Sequence, residues 1–250
     1  MAAYQTRRRG FLVFRGGSEA MPNKPPDRRE KPIYSVEEAS EYLGIPINTL
    51  YAWTLGRRKP KQPDQYYPAV LKFVDRRSRR LSFFDLVEAH ILRAATEKDI
   101  PLRQIKNGLE FVREHYPNHP RPLLTLDFRT DGKYLLVGGM LGSKEKDIEA
   151  LVNASRHGQL EMTQIIEEYL QLIGWDASGD PDTIFPKTGG RVVSITSGIV
   201  SGRPAIEGTR IPTAIIAQRF RAGETVEELA AEYNITTEAI EAAIKYEQAA

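Results

Sequence analysis

Three short segments of the sequence carry the same helix-starting signal, and together they restrict the chain to a largely helical fold. Each segment has Ser or Thr followed three residues later by Glu or Asp, and each precedes apolar residues at helical spacing. In such a capping box, the hydroxyl and the carboxylate each bond a backbone N–H that the helix end leaves unpaired. The three boxes are Ser35 to Glu38, Ser82 to Asp85 and Thr225 to Glu228.

The first two predicted helices form a compact pair. Behind Ser35, the apolar spacing predicts a helix that ends at Gly44, since glycine readily adopts the left-handed conformation that closes a helix. Residues 47–55 predict a second short helix with Leu50 and Trp53 facing inward. Two helices joined by a glycine-containing turn are typical of a helix-turn-helix motif.

A basic hairpin is predicted between this pair and the Ser82 box. Gly56 to Pro60 stops the second helix, and a loop rich in Pro and Tyr follows. Residues 69–74 then predict a strand, and residues 79–82 predict its return across a turn of Asp and Arg. One helix is expected to start at the Ser82 box, and another to run from Pro101 to Tyr116.

The middle region predicts both strand and helix. Leu123 to Phe128 and Tyr134 to Val137 flank Asp131-Gly132, which is a strong hairpin-turn signal. Residues 160–173 predict a helix that ends at Gly174, and residues 183–195 predict mixed loop and strand.

The C-terminal region predicts three helices behind a loop. Gly208 is expected to adopt a positive φ, which glycine tolerates without steric cost. Pro212 suits the first position of a helix closed by Gly223, the Thr225 box opens the next, and Thr237 opens the last. The last two helices again have helix-turn-helix spacing.

The predicted fold class is therefore α+β, mainly α. The expected parts are a disordered basic tail (1–31), a winged helix-turn-helix DNA-binding domain (32–116), a middle α+β region (117–190) and a C-terminal domain (191–250).

Composition and motifs argue against an enzyme. The sequence has no cysteine, so disulfides and thiolate zinc sites are excluded. His115 and His119 are separated by Pro117, which would break a helix aligning them for a metal. We predict no catalytic residue, metal site or cofactor. No apolar run approaches the roughly 20 residues of a membrane helix, and the run at 11–14 is too short for a signal peptide, so a cytoplasmic protein without a membrane partner is expected.

Positive charge is concentrated in the front half. Residues 57–80 hold nine basic and two acidic side chains, whereas residues 117–250 hold 13 basic and 19 acidic ones. Arginines crowded on a short turn repel each other unless an anion neutralises them, and phosphate is the natural partner. In a helix-turn-helix, residues at the start of the second helix enter the major groove. An ordinary basic surface is the alternative. The predicted DNA-binding residues are Asn48, Thr49, Arg57, Arg58, Arg76, Arg77, Arg79 and Arg80.

Two parts of the chain resemble known families. Residues 34–116 are similar to the winged helix of the MerR and excisionase families, in the Thr49, Leu50, Tyr51 order of the second helix and in the Arg80 to Leu86 segment. Ala52 stands where those families often have arginine, and the Arg80 segment is one residue longer. Residues 202–212, with the helical region behind them, resemble domain of unknown function 433, whose motif is matched by Gly202, Pro204, Ile206, Gly208, Thr209, Arg210 and Ile211.

Over about residues 33–247, the chain resembles the long VapB-type antitoxins, which join two such domains. The resemblance implies operator DNA and a VapC-type toxin, a PIN-domain ribonuclease, as partners, and joint repression of the shared operon. An antitoxin arginine can occupy the metal-binding carboxylates of such a toxin. Because dimers usually read palindromic operators, a homodimer is expected. The toxin-binding candidates are Arg203, Arg210, Arg219 and Arg221.

Two other interpretations stay open. A stand-alone MerR-like regulator would sense a small molecule with its rear half or use that half to dimerise, and a scaffold protein would use its helix-turn-helix folds without binding DNA. The regulator would need an apolar pocket, for which the candidates are Leu124, Leu126, Leu136 and Val137.

Overall fold

A computed structural model describes residues 27–59, 62–71, 79–125, 128–129, 136–137 and 157–249. The described residues form helices and two small antiparallel sheets, and the fold class is α+β, mainly α, as predicted. Arg76, Arg77 and the Asp131-Gly132 turn lie outside the described residues. Within the described residues, no helix is long and apolar enough to cross a membrane.

The first helix pair follows its sequence signals closely. Helix α1 spans Val36–Leu43, and the Ser35 hydroxyl accepts the Glu38 N–H at 3.0 Å while Glu38 accepts the Ser35 N–H at 2.8 Å. Gly44 closes α1 with φ 59°, and helix α2 spans Ile47–Leu55. The local rules that predicted these ends therefore also describe the structure.

The segment between α2 and the next helix differs from the prediction. Strand β1 (Arg57–Lys59) pairs antiparallel with β2 (Gln62–Tyr67), where a loop was predicted. Val70 and Leu71 lie in a bend, so the strand predicted there is wrong at these residues. Both bond the Trp53 carbonyl through their N–H groups, at 2.8 and 2.9 Å. Gly56 ends α2 with a φ of 76°, and the chain enters β1 directly after it.

Helices α3 (Phe83–Arg93) and α4 (Leu102–His115) complete the front half. Pro101 stands one position earlier than predicted, as the residue that precedes the first helical one. His90 on α3 is fully buried, and its ring packs edge-on against Tyr169 at 5.0 Å. This contact joins the front half to the middle region.

At four residues that the structure describes, the middle region is helical where strands were predicted. Leu123 and Leu124 lie in a 3-10 turn, and Leu136 and Val137 are helical, so the hairpin strands predicted through these residues are wrong. Leu136 and Val137 are fully buried in the main core, which removes them from a ligand pocket. An apolar run alone does not distinguish a strand from a buried helix, and here packing in the core determines the helical conformation. Helix α5 spans His157–Gln171.

A four-stranded antiparallel sheet follows, in the order β3-β4-β5-β6. Its last strand leads through the loop at Gly208, whose φ is 72° as predicted, into a cluster of three helices. This cluster has a small apolar core of its own. The remaining elements are β3 (Ile173–Trp175), β4 (Pro181–Ile184), β5 (Val193–Thr196), β6 (Ala205–Ile206), α6 (Thr213–Arg221), α7 (Val226–Tyr233) and α8 (Thr237–Ala249).

The C-terminal part packs directly on α1. The Tyr246 hydroxyl on α8 donates to the Tyr42 carbonyl at 3.2 Å. The Tyr34 ring, only 3% exposed, lies against Gly202, where a methyl group would come within 2.0 Å of the Tyr34 hydroxyl oxygen. Front and rear halves therefore meet through aromatic side chains beside α1.

Candidate nucleic-acid interface

The start of α2 presents the predicted base-reading side chains to solvent. Leu50 and Trp53 are buried and hold the helix on the core, whereas Asn48 is exposed and Thr49 is half-buried on the opposite side. Pro46 precedes the helix without a side-chain cap. The positive end of the helix dipole thus faces outward beside Asn48 and favours a negatively charged partner.

Gly56 ends α2, and two residues that were predicted to contact phosphate follow it directly. Its φ is 76°, and a methyl group there would lie 2.3 Å from the Tyr67 carbonyl oxygen. Arg57 and Arg58 follow directly on β1, and both are exposed. The Arg57 guanidinium lies 5.8 Å from the Tyr67 ring centre, which limits its freedom while leaving its N–H groups available.

One cleft of about 390 Å³ brings three predicted DNA-binding residues together. Asn48, Thr49 and Arg57 line it, opposite the loop that leads into α4. Asp99 lines the same cleft, and sequence reasoning did not identify it because only the packing of α4 brings it there. A donor and acceptor amide, a hydroxyl and a guanidinium in one recess are suited to base edges and phosphate oxygens.

Arg79 and Arg80 are exposed but lie apart from this cleft. A hydrogen bond to Glu37 raises the pKa of the Tyr51 hydroxyl, and the Arg79 charge opposes this rise, which places Arg79 on the α2 side of the front half. Arg80 donates to the Ile33 carbonyl at 2.8 Å. Arg79 and Arg80 thus carry exposed positive charge on the segment that leads into α3.

The four toxin-binding candidates are in two different situations. Arg203, Arg210 and Arg221 are exposed. The Arg219 guanidinium is instead held by Glu224 at 2.7 Å and Glu232 at 2.6 Å, and it donates to the Tyr233 hydroxyl at 3.0 Å. These carboxylates raise the pKa of Arg219 further. Arg219 thus ties α6 to α7 and is poorly placed to enter another protein's active site.

Comparison with known families finds a match in each half of the chain. Residues 32–109 match the family described as "Putative DNA-binding HTH domain", and residues 193–246 match the family described as "Protein of unknown function (DUF433)". Two separate segments of the chain thus each match a different family model.

Two curated proteins from Mycobacterium tuberculosis are similar over most of this length. The chain is 29% identical over 227 residues to "Putative antitoxin VapB45", covering 87% of this chain and 94% of that protein. It is 23% identical over 231 residues to "Uncharacterized protein Rv2308", covering 87% and 90%. The crystal structure of Rv2018 from the same organism superposes with a TM-score of 0.63 at 25% identity, over 87% of this chain and 99% of that one.

Proposed function

We propose that this chain is the antitoxin of a type II toxin–antitoxin system, which binds operator DNA and neutralises a VapC-type PIN-domain ribonuclease. The similarity to a protein named as an antitoxin, along nearly the full length of both chains, carries the proposal. The helix-turn-helix family match over residues 32–109 supports the DNA-binding part. The front half, about residues 32–116, would bind the operator as a winged helix-turn-helix.

The DNA interface is argued from geometry and charge. Asn48 and Thr49 project from the exposed start of α2, and Arg57 lines the same cleft. An asparagine amide can pair with an adenine edge in the major groove. Arg58, Arg79 and Arg80 are exposed outside this cleft and would contact phosphates, with Arg76 and Arg77 on the same basic segment.

Binding of labelled operator and of random DNA, measured against salt concentration, tests this interface. Asn48→Ala should weaken binding to the operator about 5- to 150-fold with little effect on random DNA, because a base contact is worth about 1–3 kcal/mol. Arg57→Gln with Arg79→Gln should weaken both equally and reduce the salt slope by about 0.9 for each lost phosphate contact. Arg103→Gln, an exposed charge on α4, is the matched control. Equal losses for operator and random DNA with Asn48→Ala would remove it as a base reader.

The rear half suits a basic partner. Exposed carboxylates cover α7 and α8, at Glu227, Glu228, Glu232, Glu238 and Glu241. Such a face repels DNA and attracts the positive surface that an RNA-cleaving protein needs. An exposed arginine of this half would enter the toxin's cluster of metal-binding carboxylates, where a bidentate guanidinium replaces the cation.

Ribonuclease inhibition tests the toxin proposal. Pull-down of the tagged full chain from its host should recover a small PIN-domain protein in stoichiometric amount, inactive on RNA until separated. Arg203→Lys, Arg210→Lys and Arg221→Lys each keep the charge but lose the fork that binds a carboxylate through two parallel bonds. The variant at the inhibiting residue should still form the complex with the toxin but should no longer inhibit its ribonuclease activity. Recovery of this chain alone would contradict the proposal.

A homodimer fits a palindromic operator, and two apolar side chains offer a contact. Ile215 and Phe220 on α6 are 41% and 37% exposed. Light scattering of the full chain should give twice the monomer mass, and Ile215→Asp with Phe220→Asp should reduce it to the monomer if α6 forms the contact. A monomer at all concentrations would refute this arrangement.

One observation favours the stand-alone regulator as a second candidate. A cleft of about 480 Å³ lies between residues 119–125 and the turn at 178–180, lined among others by Phe84, Leu124 and Arg129. Its size suits a small ligand. A ligand that raises the melting temperature of the pure chain, with no protein partner recovered from the host, would favour this function over the antitoxin.

A further inference from the structure

A second basic recess joins the two halves of the chain. It has a volume of about 440 Å³, and its lining includes Lys31 and Arg80 from the front half together with Ser201 and Arg203 from the rear half. Arg80 was predicted to contact DNA and Arg203 to contact a toxin. The structure instead places these two arginines around one recess.

Cationic side chains outnumber carboxylates in the lining of this recess. Lys31, Arg80 and Arg203 are cationic and Glu38 is the carboxylate among the lining residues, while Arg80 also donates to the Ile33 carbonyl. The Glu38 carboxylate is already engaged, because it accepts the Ser35 N–H at 2.8 Å to close the α1 capping box. Across the described residues, no ion pair is formed by Lys31 or Arg203. A cluster of this kind is stabilised by an anion.

The loop that carries Arg203 is held in an unusual conformation. Val200 and Ser201 have φ values of 46° and 57°, in a region that a β-branched residue rarely adopts. The Gly202 N–H bonds the Ile199 carbonyl at 2.7 Å, and the Arg203 N–H bonds the Val200 carbonyl at 3.1 Å. These bonds and the Tyr34 ring against Gly202 fix the loop beside α1.

The Arg203 charge reaches the same helix. Burial and the Glu38 charge raise the pKa of the Tyr42 hydroxyl to about 12, and Arg203 opposes part of that rise. The guanidinium is exposed, so its N–H groups are accessible to a ligand entering from solvent. Cations from three separate segments surround the recess, which suits an anion with several oxygens pointing in different directions.

We propose that Lys31, Arg80 and Arg203 form a binding site for a phosphate group, shared by the two halves of the chain. A carboxylate would satisfy one guanidinium, whereas a phosphate presents oxygens to all three cations. The phosphate has two possible sources, the DNA backbone or a free phosphate compound. The DNA source rests on the proposed function, since it makes the rear half contribute a backbone contact.

Two measurements on the full chain distinguish the sources, with Arg203→Gln as the test variant and Lys245→Gln as the control. Both remove one exposed positive charge from the C-terminal part, but Lys245 lies outside the recess. The first measurement is the melting temperature in inorganic phosphate against sodium chloride of equal ionic strength. Since phosphate stabilises proteins generally, the readout is the difference between variants. The second is the salt dependence of DNA binding.

For a DNA phosphate, Arg203→Gln should reduce the salt slope by about 0.9, while Lys245→Gln leaves it unchanged. For a free phosphate compound, Arg203→Gln should lose several degrees of saturable phosphate-dependent stabilisation with its DNA slope intact. If both variants match the wild type in both measurements, the site is refuted. Absence of DNA binding by the wild type at low salt would refute the proposed function alone, and the melting measurement would then decide the site.

Discussion

The contact between Tyr34 and Gly202 gives a sharp test of how the two halves meet. Gly202 has φ 77°, and a methyl group added there would lie 2.0 Å from the Tyr34 hydroxyl oxygen and 3.0 Å from its Cζ. The Tyr34 ring is only 3% exposed, so it has no free space to move into. Gly202→Ala must therefore either displace Tyr34 or open the loop.

The expected cost has two parts. A side chain in the left-handed region costs about 1–2 kcal/mol, and forcing a methyl group into a filled space typically adds about 1–3 kcal/mol. Gly202→Ala should thus reduce the free energy of unfolding by about 2–5 kcal/mol. Gly208 provides a matched control, because its φ is 72° and a methyl group there meets nothing within 4 Å. Gly208→Ala should cost about 1–2 kcal/mol.

Urea unfolding of the full chain, followed by circular dichroism, measures both losses. Tyr34→Phe in the Gly202→Ala background removes the nearest clashing atom and should recover much of the difference between the two alanine variants. The Tyr34 hydroxyl is buried and has no hydrogen-bond partner among the described residues, so Tyr34→Phe alone should be close to neutral. Equal losses at the two glycines, or no recovery with Tyr34→Phe, would refute the contact.

The remaining predictions concern buried polar groups. Burial lowers the pKa of His90 to about 4, so the unfolded chain takes up the proton first and stability falls as pH drops from about 6.5 to about 4. Urea unfolding should show that wild type loses up to about 3 kcal/mol more stability over that pH range than His90→Gln does. The control variant, at the exposed His119 (His119→Gln), should lose as much stability as wild type. Equal losses in wild type and His90→Gln would contradict this prediction. Ser82 is fully buried and caps α3, so Ser82→Ala should lower the melting temperature more than the exposed cap change Thr225→Ala, and the reverse order would count against the buried cap.

Helix boundaries were predictable at the capping boxes and at Gly44, whereas Pro101 precedes α4 by one position and is not its first residue. The capping boxes at Ser35, Ser82 and Thr225 are all present with both reciprocal bonds, and Gly44 and Gly208 have the positive φ expected of them. Each of these features depends on atoms within a few residues of the chain. Sequence is sufficient for them because no distant contact has to be known.

Strands were less predictable because they depend on partners. The β1–β2 hairpin contains charged and proline residues without apolar alternation, so nothing in its sequence favours a strand. The pairing brings the Tyr67 carbonyl close to Gly56. A side chain at position 56 would collide with that carbonyl, and the φ of Gly56 is positive. Conversely, Leu123 and Leu124 looked like strand residues but pack into the main core from a 3-10 turn.

The candidate site divides in the same way. Asn48, Thr49 and Arg57 lie near each other in sequence, and their convergence on one cleft could be predicted from the helix and the turn behind it. The recess at Arg80 and Arg203 could not, since it requires a rear loop to pack on α1. Charge patterning assigned Arg80 to DNA, whereas the resemblance to antitoxins made Arg203 a toxin-binding candidate.

The buried contact between His90 and Tyr169 determines whether the helix-turn-helix segment can be transferred to another protein. One hydrophobic cluster includes buried residues of both α3 and α5, so α3 is covered on one side by α5. A fragment ending near residue 116 would expose that side of α3 to water. The segment that matches the helix-turn-helix family would therefore need the middle region to keep α3 covered, and a fusion protein that carries this segment should include the residues through α5.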